Sequence, residues 1–302
     1  MINLAISVLS FILAMLIAGN NLPISSGTII SSRVVRRNAG IAITVLGYIA
    51  GLLAQGGLLA HGFAYLMPSN SVNLIAIALA VSTILFVVGN QLRVPQSLSI
   101  ILAMALIGTS IASGYRLNPG FLLFMLLFWI IAPIAAFLAT MILLKRIDAY
   151  VKTKRVWSTL SMAKTLLILT SFFTAFTLGS NTIGLMFVAA SGYTSIWVVI
   201  IAVVIGGFAL SRGTLSRIGN EIVSLRYMNS LVSQSVSVIL VEIATVFSLP
   251  FSNTQAFTAS IYGAGMSYRT KLLSKRPLEV IVFTWIATAA ASFALGYLFT
   301  VF

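Results

Sequence analysis

The sequence has no cysteine, one histidine and four acidic residues among its 302 positions. Without cysteine the chain has no disulfide bond and no thiolate metal site. So few histidines and acids leave no paired carboxylates and no metal-ligand spacing, which argues against acid-base or metal-dependent catalysis. These absences predict that the protein is not an enzyme and holds no resident cofactor.

Charged residues make up only 7% of the chain, whereas 60% are hydrophobic and the mean hydropathy is +1.10. This composition excludes a water-facing surface over the whole fold. Because a spanning helix needs about 20 apolar residues, the apolar runs suffice for about eight to ten spanning or half-spanning segments. The sequence therefore predicts an all-α integral membrane protein, a multi-pass helical bundle in the lipid bilayer of the cell membrane.

Basic residues outnumber acidic ones and give a formal net charge of +14. Most of the 18 lysines and arginines lie in four short segments between apolar runs, at 33–37, 145–155, 212–226 and 269–276. This grouping is typical of cytoplasmic segments under the positive-inside rule. We therefore assign the charge to contact with anionic headgroups and expect no nucleic acid partner.

The basic segments fall on opposite connections in the two halves of the chain. Segment 33–37 has three arginines, whereas its counterpart 191–195 has no basic residue. Conversely, segment 61–73 has no lysine or arginine, and its counterpart 212–226 has three arginines. The reversal indicates a bundle of two inverted-topology repeats.

We accordingly divide the chain into a first membrane repeat, 1–150, and a second, inverted membrane repeat, 157–302. A basic cytoplasmic linker around 145–156 joins them, and both termini are expected outside. Residue identities support the division, because Ser97 and Ser252 are 155 positions apart (252 − 97) and other matches recur at the same separation.

Two polar stretches interrupt apolar runs at matching places, 18–28 and 179–184. The first contains Pro23 and two glycines, which free backbone groups that lipid cannot satisfy. Interrupted helices in matching places of two halves indicate the substrate site of a transporter. Segment 100–113 is too short and too rich in Gly and Ser for a comfortable lipid-facing span, so it predicts a re-entrant or half helix. The sequence thus predicts broken and re-entrant helices that line a cavity.

These stretches resemble the two signatures of the inorganic phosphate transporter (PiT) family, which includes sulfate-permease-like members. The family carries a GANDVAN-like signature in each half and a PVSTTH-like signature later in each half. The matching residues are Ala18-Gly19-Asn20-Asn21, Gly179-Ser180-Asn181-Thr182 and Leu249-Pro250-Phe251-Ser252-Asn253-Thr254-Gln255. The resemblance implies a secondary transporter of an inorganic oxyanion, phosphate first, that works by alternating access and is coupled to sodium or protons.

The chain departs from the family signatures at their charged positions. Asn21 and Thr182 replace the acidic residues of the first signature, and Gln255 replaces the histidine of the second. The carboxylates that the resemblance implies for sodium are therefore absent, so we expect weak sodium dependence. Sulfate stays an alternative substrate, because it carries no proton for a carboxylate to accept. An anion channel is the alternative of a different class.

An oxyanion in a low-dielectric site needs N–H and O–H donors and the positive ends of half helices. Such side chains stand beside the predicted breaks; for each of the hydroxyls, the alternative is a bond to its own or a neighbouring helix. The predicted anion-binding residues are Ser25, Ser26, Ser97, Ser99, Ser252, Asn253, Thr254 and Gln255.

The predicted coupling-ion and motif residues are Asn20, Asn21, Asn181, Thr182 and Glu242. Glu242 is the one acid deep in an apolar run, which predicts a proton-coupling group or a cation ligand. The alternative for Glu242 is a structural carboxyl bonded to neighbouring hydroxyls. The sequence leaves the oligomeric state open, a homo-oligomer included.

Overall fold

The computed structural model describes residues 1–67, 71–91, 96–151, 156–210, 227–267 and 275–302. Seven helices in these ranges are long and apolar enough to cross a membrane, and two shorter apolar helices accompany them. The prediction of an all-α, multi-pass membrane bundle is confirmed.

Within its described ranges, the first half of the chain forms six helices and one 3-10 turn. In order they are α1 (Ile2–Ser31), α2 (Arg37–Gln55), the turn Gly56–Leu59, α3 (Ala60–Leu66), α4 (Val72–Gln91), α5 (Leu98–Ala112) and α6 (Pro119–Val151). Pro119 stands at the first position of α6, where its fixed φ suits the helix and its missing N–H costs nothing. Pro133 lies inside α6, and the helix runs on through it.

The second half forms six further helices in the described ranges, two of them extended by π-helical turns. In order they are α7 (Val156–Thr177), the π segment Leu178–Ile183, α8 (Gly184–Ala190), α9 (Ile196–Ile205), the π segment Gly206–Leu210, α10 (Tyr227–Val246), α11 (Asn253–Ser267) and α12 (Lys275–Val301).

Helices of equal length recur at the spacing that the residue identities indicate. Helices α4 and α10 have 20 residues each, and their first residues are 155 positions apart (227 − 72). Helices α5 and α11 have 15 residues each at the same separation (253 − 98). Fifteen residues rise only about 22 Å, less than the roughly 30 Å of hydrocarbon, so neither α5 nor α11 crosses the bilayer alone.

The two halves pack against each other in a crossed arrangement. Helix α5 of the first half packs on α12 of the second, and α11 of the second half packs on α6 of the first. Both contacts need a glycine: a Cβ added at Gly108 would lie 2.3 Å from the Phe293 carbonyl oxygen, and one at Gly263 would lie 2.2 Å from that of Phe137. The short helices are therefore held tightly against long ones.

The predicted helix break at 18–28 is wrong. Helix α1 continues from Ile2 to Ser31 with Pro23 inside it. The hydroxyls of Ser25 and Ser26 donate to Leu22 O at 2.9 and 3.0 Å, which gives the turn that contains Pro23 additional hydrogen bonds. The matching stretch 179–184 does not break either; its chain continues from α7 into α8 through one π-helical turn, a local widening frequent at functional sites.

The linker expected around 145–156 is partly helical. Helix α6 extends to Val151 and α7 begins at Val156. Positions 152–155 lie outside the described residues, as do most of the basic segments 212–226 and 269–276.

Candidate functional site

The half helices α5 and α11 each directly follow a buried serine. The Ser97 hydroxyl accepts the Ile100 N–H at 3.5 Å, and the Ser252 hydroxyl accepts the Gln255 N–H at 3.1 Å. Each cap satisfies one first-turn N–H, and the other first-turn N–H groups of a helix have no intrahelical partner. Two positively polarised helix ends are thus buried inside the bundle.

The π segment Leu178–Ile183 contacts the starts of both half helices. Thr182 shares a hydrogen bond of 3.1 Å with Ser99 in the first turn of α5. The preceding residue, Asn181, donates to Leu249 O at 2.9 Å and accepts the Phe251 N–H at 2.9 Å, just before α11. Two consecutive motif residues therefore hold the two helix ends together, which sequence reasoning did not foresee.

Asn181 uses both ends of its amide within the protein. Besides its contacts with the connection before α11, it donates to Thr245 Oγ1 on α10 at 3.0 Å, and its side chain is fully buried. Asn253 is engaged in the same way, since it donates to Thr177 Oγ1 at 3.1 Å and accepts from Ser237 Oγ at 2.9 Å. Both amides position the backbone around the helix ends.

Other predicted residues have polar atoms with no hydrogen-bond partner in the described part of the chain. Asn20 and Asn21 make no side-chain hydrogen bond to any described residue, although Asn21 is buried. Gln255 is buried, with no partner for its Oε1 among the described residues, whereas Thr254 is half-buried. A buried amide oxygen without a partner is costly, and such groups are normally satisfied by water or a ligand.

Gln96 belongs to this set, although the sequence reasoning overlooked it. It precedes the cap Ser97, is buried, and its Oε1 has no partner in the described part of the chain. Its position directly before a predicted half helix was the available signal.

Gln234 on α10 joins three helices and was also overlooked. Its Nε2 lies 2.8 Å from Thr28 Oγ1 and 3.1 Å from the carbonyl oxygens of Ile24 and Ser25 on α1. Its Oε1 accepts from the hydroxyls of Thr170 and Ser171 on α7 at 3.1 and 3.3 Å. The run of hydroxyls and amides between 229 and 237 in an otherwise apolar helix was the signal for it.

Glu242 lies one helical turn from the Asn181 network. Its Oε1 accepts a hydrogen bond of 2.5 Å from Gln55 Nε2 at the end of α2, and its side chain is half-buried. Thr245, three residues further along α10, holds Asn181. Residues three apart on a helix are neighbours, so the Glu242 carboxylate lies next to Thr245 and its hydrogen bond with Asn181.

Paired half helices with buried positive ends inside a multi-pass bundle are typical of secondary transporters. This chain belongs to the phosphate transporter family, whose model matches residues 17–296. The family assignment expected from the signatures is confirmed, and the family is one of transporters and not of enzymes.

The relatives of this chain include one that is named for phosphate and one that is named for sulfate. The chain is 26% identical to a protein of Methanocaldococcus jannaschii named as a candidate phosphate permease, over 96% of this chain and 94% of that one. It is 24% identical to the sulfate permease CysP of Bacillus subtilis, over 98% of this chain and 86% of CysP. A solved sodium-dependent phosphate transporter shares the fold, with a TM-score of 0.83 at 16% identity, over 98% of this chain and 97% of that one.

Proposed function

We propose that the protein is a secondary transporter that carries inorganic phosphate across the cell membrane. The observation that carries this proposal is the convergence of the α5 and α11 starts on Asn181 and Thr182. Buried helix N-termini and hydroxyl donors stabilise a dianion without a fixed positive side chain. In this proposal the anion binds between the Ser97 and Ser252 ends, and Asn21, Thr254 and Gln255 are its further candidate ligands.

The transport mechanism in this proposal is alternating access between two inverted repeats, 1–150 and 157–302. The equal lengths and constant spacing of α4, α5, α10 and α11 support this division. The crossed packing supports it too, since each half helix rests on a long helix of the other half. Rocking one set of helices against the other would expose the site first to one side and then to the other.

Uptake of radiolabelled phosphate into proteoliposomes tests the function directly. We expect phosphate to accumulate above its external concentration when an ion gradient is imposed, because a secondary transporter couples the two fluxes. Flux that only follows the phosphate gradient would favour the anion channel, and no flux at all would contradict the proposal.

Sulfate is the second candidate substrate, and the neutral character of the site favours it. Every predicted anion-binding side chain is a hydroxyl or an amide, and Asn21 and Thr182 stand where the family signature has acids. A proton-free dianion needs donors alone, whereas hydrogen phosphate also presents a donor of its own. Uptake of labelled sulfate in the same proteoliposomes, with phosphate as competitor, separates the two substrates.

Replacing either cap serine should weaken phosphate binding. In Ser97→Ala and Ser252→Ala a hydroxyl at a half-helix end is lost, and one hydrogen bond to a charged group contributes about 1.5–3 kcal/mol, roughly ten- to hundredfold in affinity. The half-saturating phosphate concentration for uptake is the measurement. Ser82→Ala is the matched control, since Ser82 is equally buried but donates to Ala78 O of its own helix. Unchanged affinity in both cap variants would remove these serines from the site.

Proton coupling in this proposal depends on Glu242. With neutral residues at both signature positions, a hard cation would have no carboxylate to offset its charge there, so sodium dependence should be weak. Uptake should rise with an inward proton gradient, and Glu242→Gln should abolish that rise but leave phosphate counterflow intact. Glu279→Gln, which alters an exposed carboxylate, is the control. Steep sodium dependence, or an unaltered proton response in Glu242→Gln, would contradict this coupling.

A further inference from the structure

Four buried polar groups at the interface of α6, α10 and α11 have no hydrogen-bond partner among the described residues. They are Asn229 Oδ1, Ser233 Oγ, Ser260 Oγ and Thr140 Oγ1. Three of these side chains are fully buried, and Asn229 is 6% exposed. Unpaired polar groups are rare in protein interiors and are normally satisfied by water or a ligand.

The four side chains share one seam between the three helices. Val232 and Val236 of α10 pack with Ala136 and Leu144 of α6 and with Ala264 of α11. Asn229 and Ser233 follow the same face of α10 as these valines, because residues three and four apart share a face. By the same spacing Thr140 lies between Ala136 and Leu144, and Ser260 lies one turn before Ala264.

The matching seam in the other half is apolar. The positions 155 residues away are Leu74 (229 − 155), Ala78 (233 − 155), Ala105 (260 − 155) and Leu295 (140 + 155). Leu74, Ala78 and Ala105 are buried, so that seam is closed by hydrocarbon contacts. The same packing therefore forms without polar side chains, and the architecture does not require the four polar groups.

The polar seam connects the candidate site with a basic end of the bundle. One turn from Ser233, the Ser237 hydroxyl donates to Asn253 at the start of α11. At the other end, the exposed Lys145 and Arg146 follow Leu144 directly on α6. A line of hydroxyl and amide groups thus leads from the helix end to positive charge.

We propose that Asn229, Ser233, Ser260 and Thr140 line the aqueous route by which the anion passes between its site and the basic, cytoplasmic side. The inference rests on the proposed transport function. In this structure the seam is closed, and its four polar atoms have no hydrogen-bond partner among the residues that the structure describes. When α11 separates from α6 and α10, water and the anion hydrate the same atoms, so opening is favoured here and not at the apolar seam.

Cysteine accessibility tests the route in the full chain, which has no cysteine of its own. Ser233→Cys and Ser260→Cys are compared with the matched variants Ala78→Cys and Ala105→Cys, using the impermeant, anionic 2-sulfonatoethyl methanethiosulfonate. We expect the two seam cysteines to react at least tenfold faster than the controls, only from the side of Lys145, and more slowly with saturating phosphate.

Each outcome decides between the route and the transport proposal. Reaction no faster than at Ala78→Cys and Ala105→Cys would overturn the route, whether or not the protein transports phosphate. Fast one-sided reaction without any phosphate uptake would support an aqueous route and remove phosphate as its solute.

A double substitution gives a second, independent measurement. Ser233→Ala with Ser260→Ala makes these positions match their apolar counterparts, so the closed seam becomes more stable and opening less favourable. We expect the maximal uptake rate to fall about tenfold with unchanged half-saturation, because the binding site is untouched, while the thermal midpoint does not fall. A maximal rate equal to that of the unmodified protein would overturn the route.

Discussion

Asn181→Ala is expected to reduce phosphate uptake at least hundredfold and to lower the thermal stability of the purified protein. The substitution leaves the Leu249 carbonyl and the Phe251 N–H buried without their partner. Each buried orphan group costs about 1–3 kcal/mol, so two cost about 2–6 kcal/mol, and a factor of ten corresponds to about 1.4 kcal/mol. We therefore expect the connection between α10 and α11, which positions the start of α11, to lose its fixed geometry.

The counterpart of Asn181 in the first half provides the matched control. Asn20, 161 positions earlier (181 − 20), is half-buried and makes no side-chain hydrogen bond to the described residues. Asn20→Ala should therefore leave the thermal midpoint nearly unchanged, whatever it does to transport. Uptake rates and thermal midpoints of both variants are compared. Equal midpoints for Asn181→Ala and the unmodified protein would contradict a positioning role for Asn181.

Gln234→Glu should also reduce uptake at least hundredfold, although the side chain keeps its shape. The amide donors that face Thr28 and the carbonyls of Ile24 and Ser25 are lost. The new carboxyl must either be buried as an ion beside carbonyl oxygens or take up a proton, and even then it donates only one hydrogen bond. An uncompensated buried charge costs about 3–5 kcal/mol. We expect this cost to destabilise the packing of α1 against α7 and α10.

The pH profile distinguishes lost donors from general damage at Gln234. Acid protonates the new carboxyl and restores one donor, so the uptake of Gln234→Glu relative to the unmodified protein should rise as the pH falls. Gln91→Glu is the control, since Gln91 is exposed at the end of α4 and should tolerate a charge. A ratio that stays constant with pH would contradict the donor role of Gln234.

The class of this protein follows from the sequence because lipid imposes strict conditions on composition. A chain that is 60% hydrophobic and has only 7% charged residues forms spanning helices, whatever its tertiary contacts. The first half helix was predictable for a similar local reason. Ser97 precedes an apolar run that is too short to span, and the side chains of Ser97 and Ser252 each cap a backbone N–H only three residues away.

The helix at 18–28 was decided by tertiary contacts. Pro23 and two glycines indicate a break when only local propensity is considered, yet α1 continues through them. Part of the reason lies 210 residues away in the chain, where Gln234 supplies donors to the carbonyl oxygens of this turn. The predicted motif residues Asn181 and Thr182 likewise acquire their contacts from residues 64 to 83 positions away. The local sequence determines which polar groups lie within the membrane. Packing determines which of them hold the helices together and which stay available to an anion. The reason is that a buried polar group needs a hydrogen-bond partner, and the tertiary fold determines which partner is close enough.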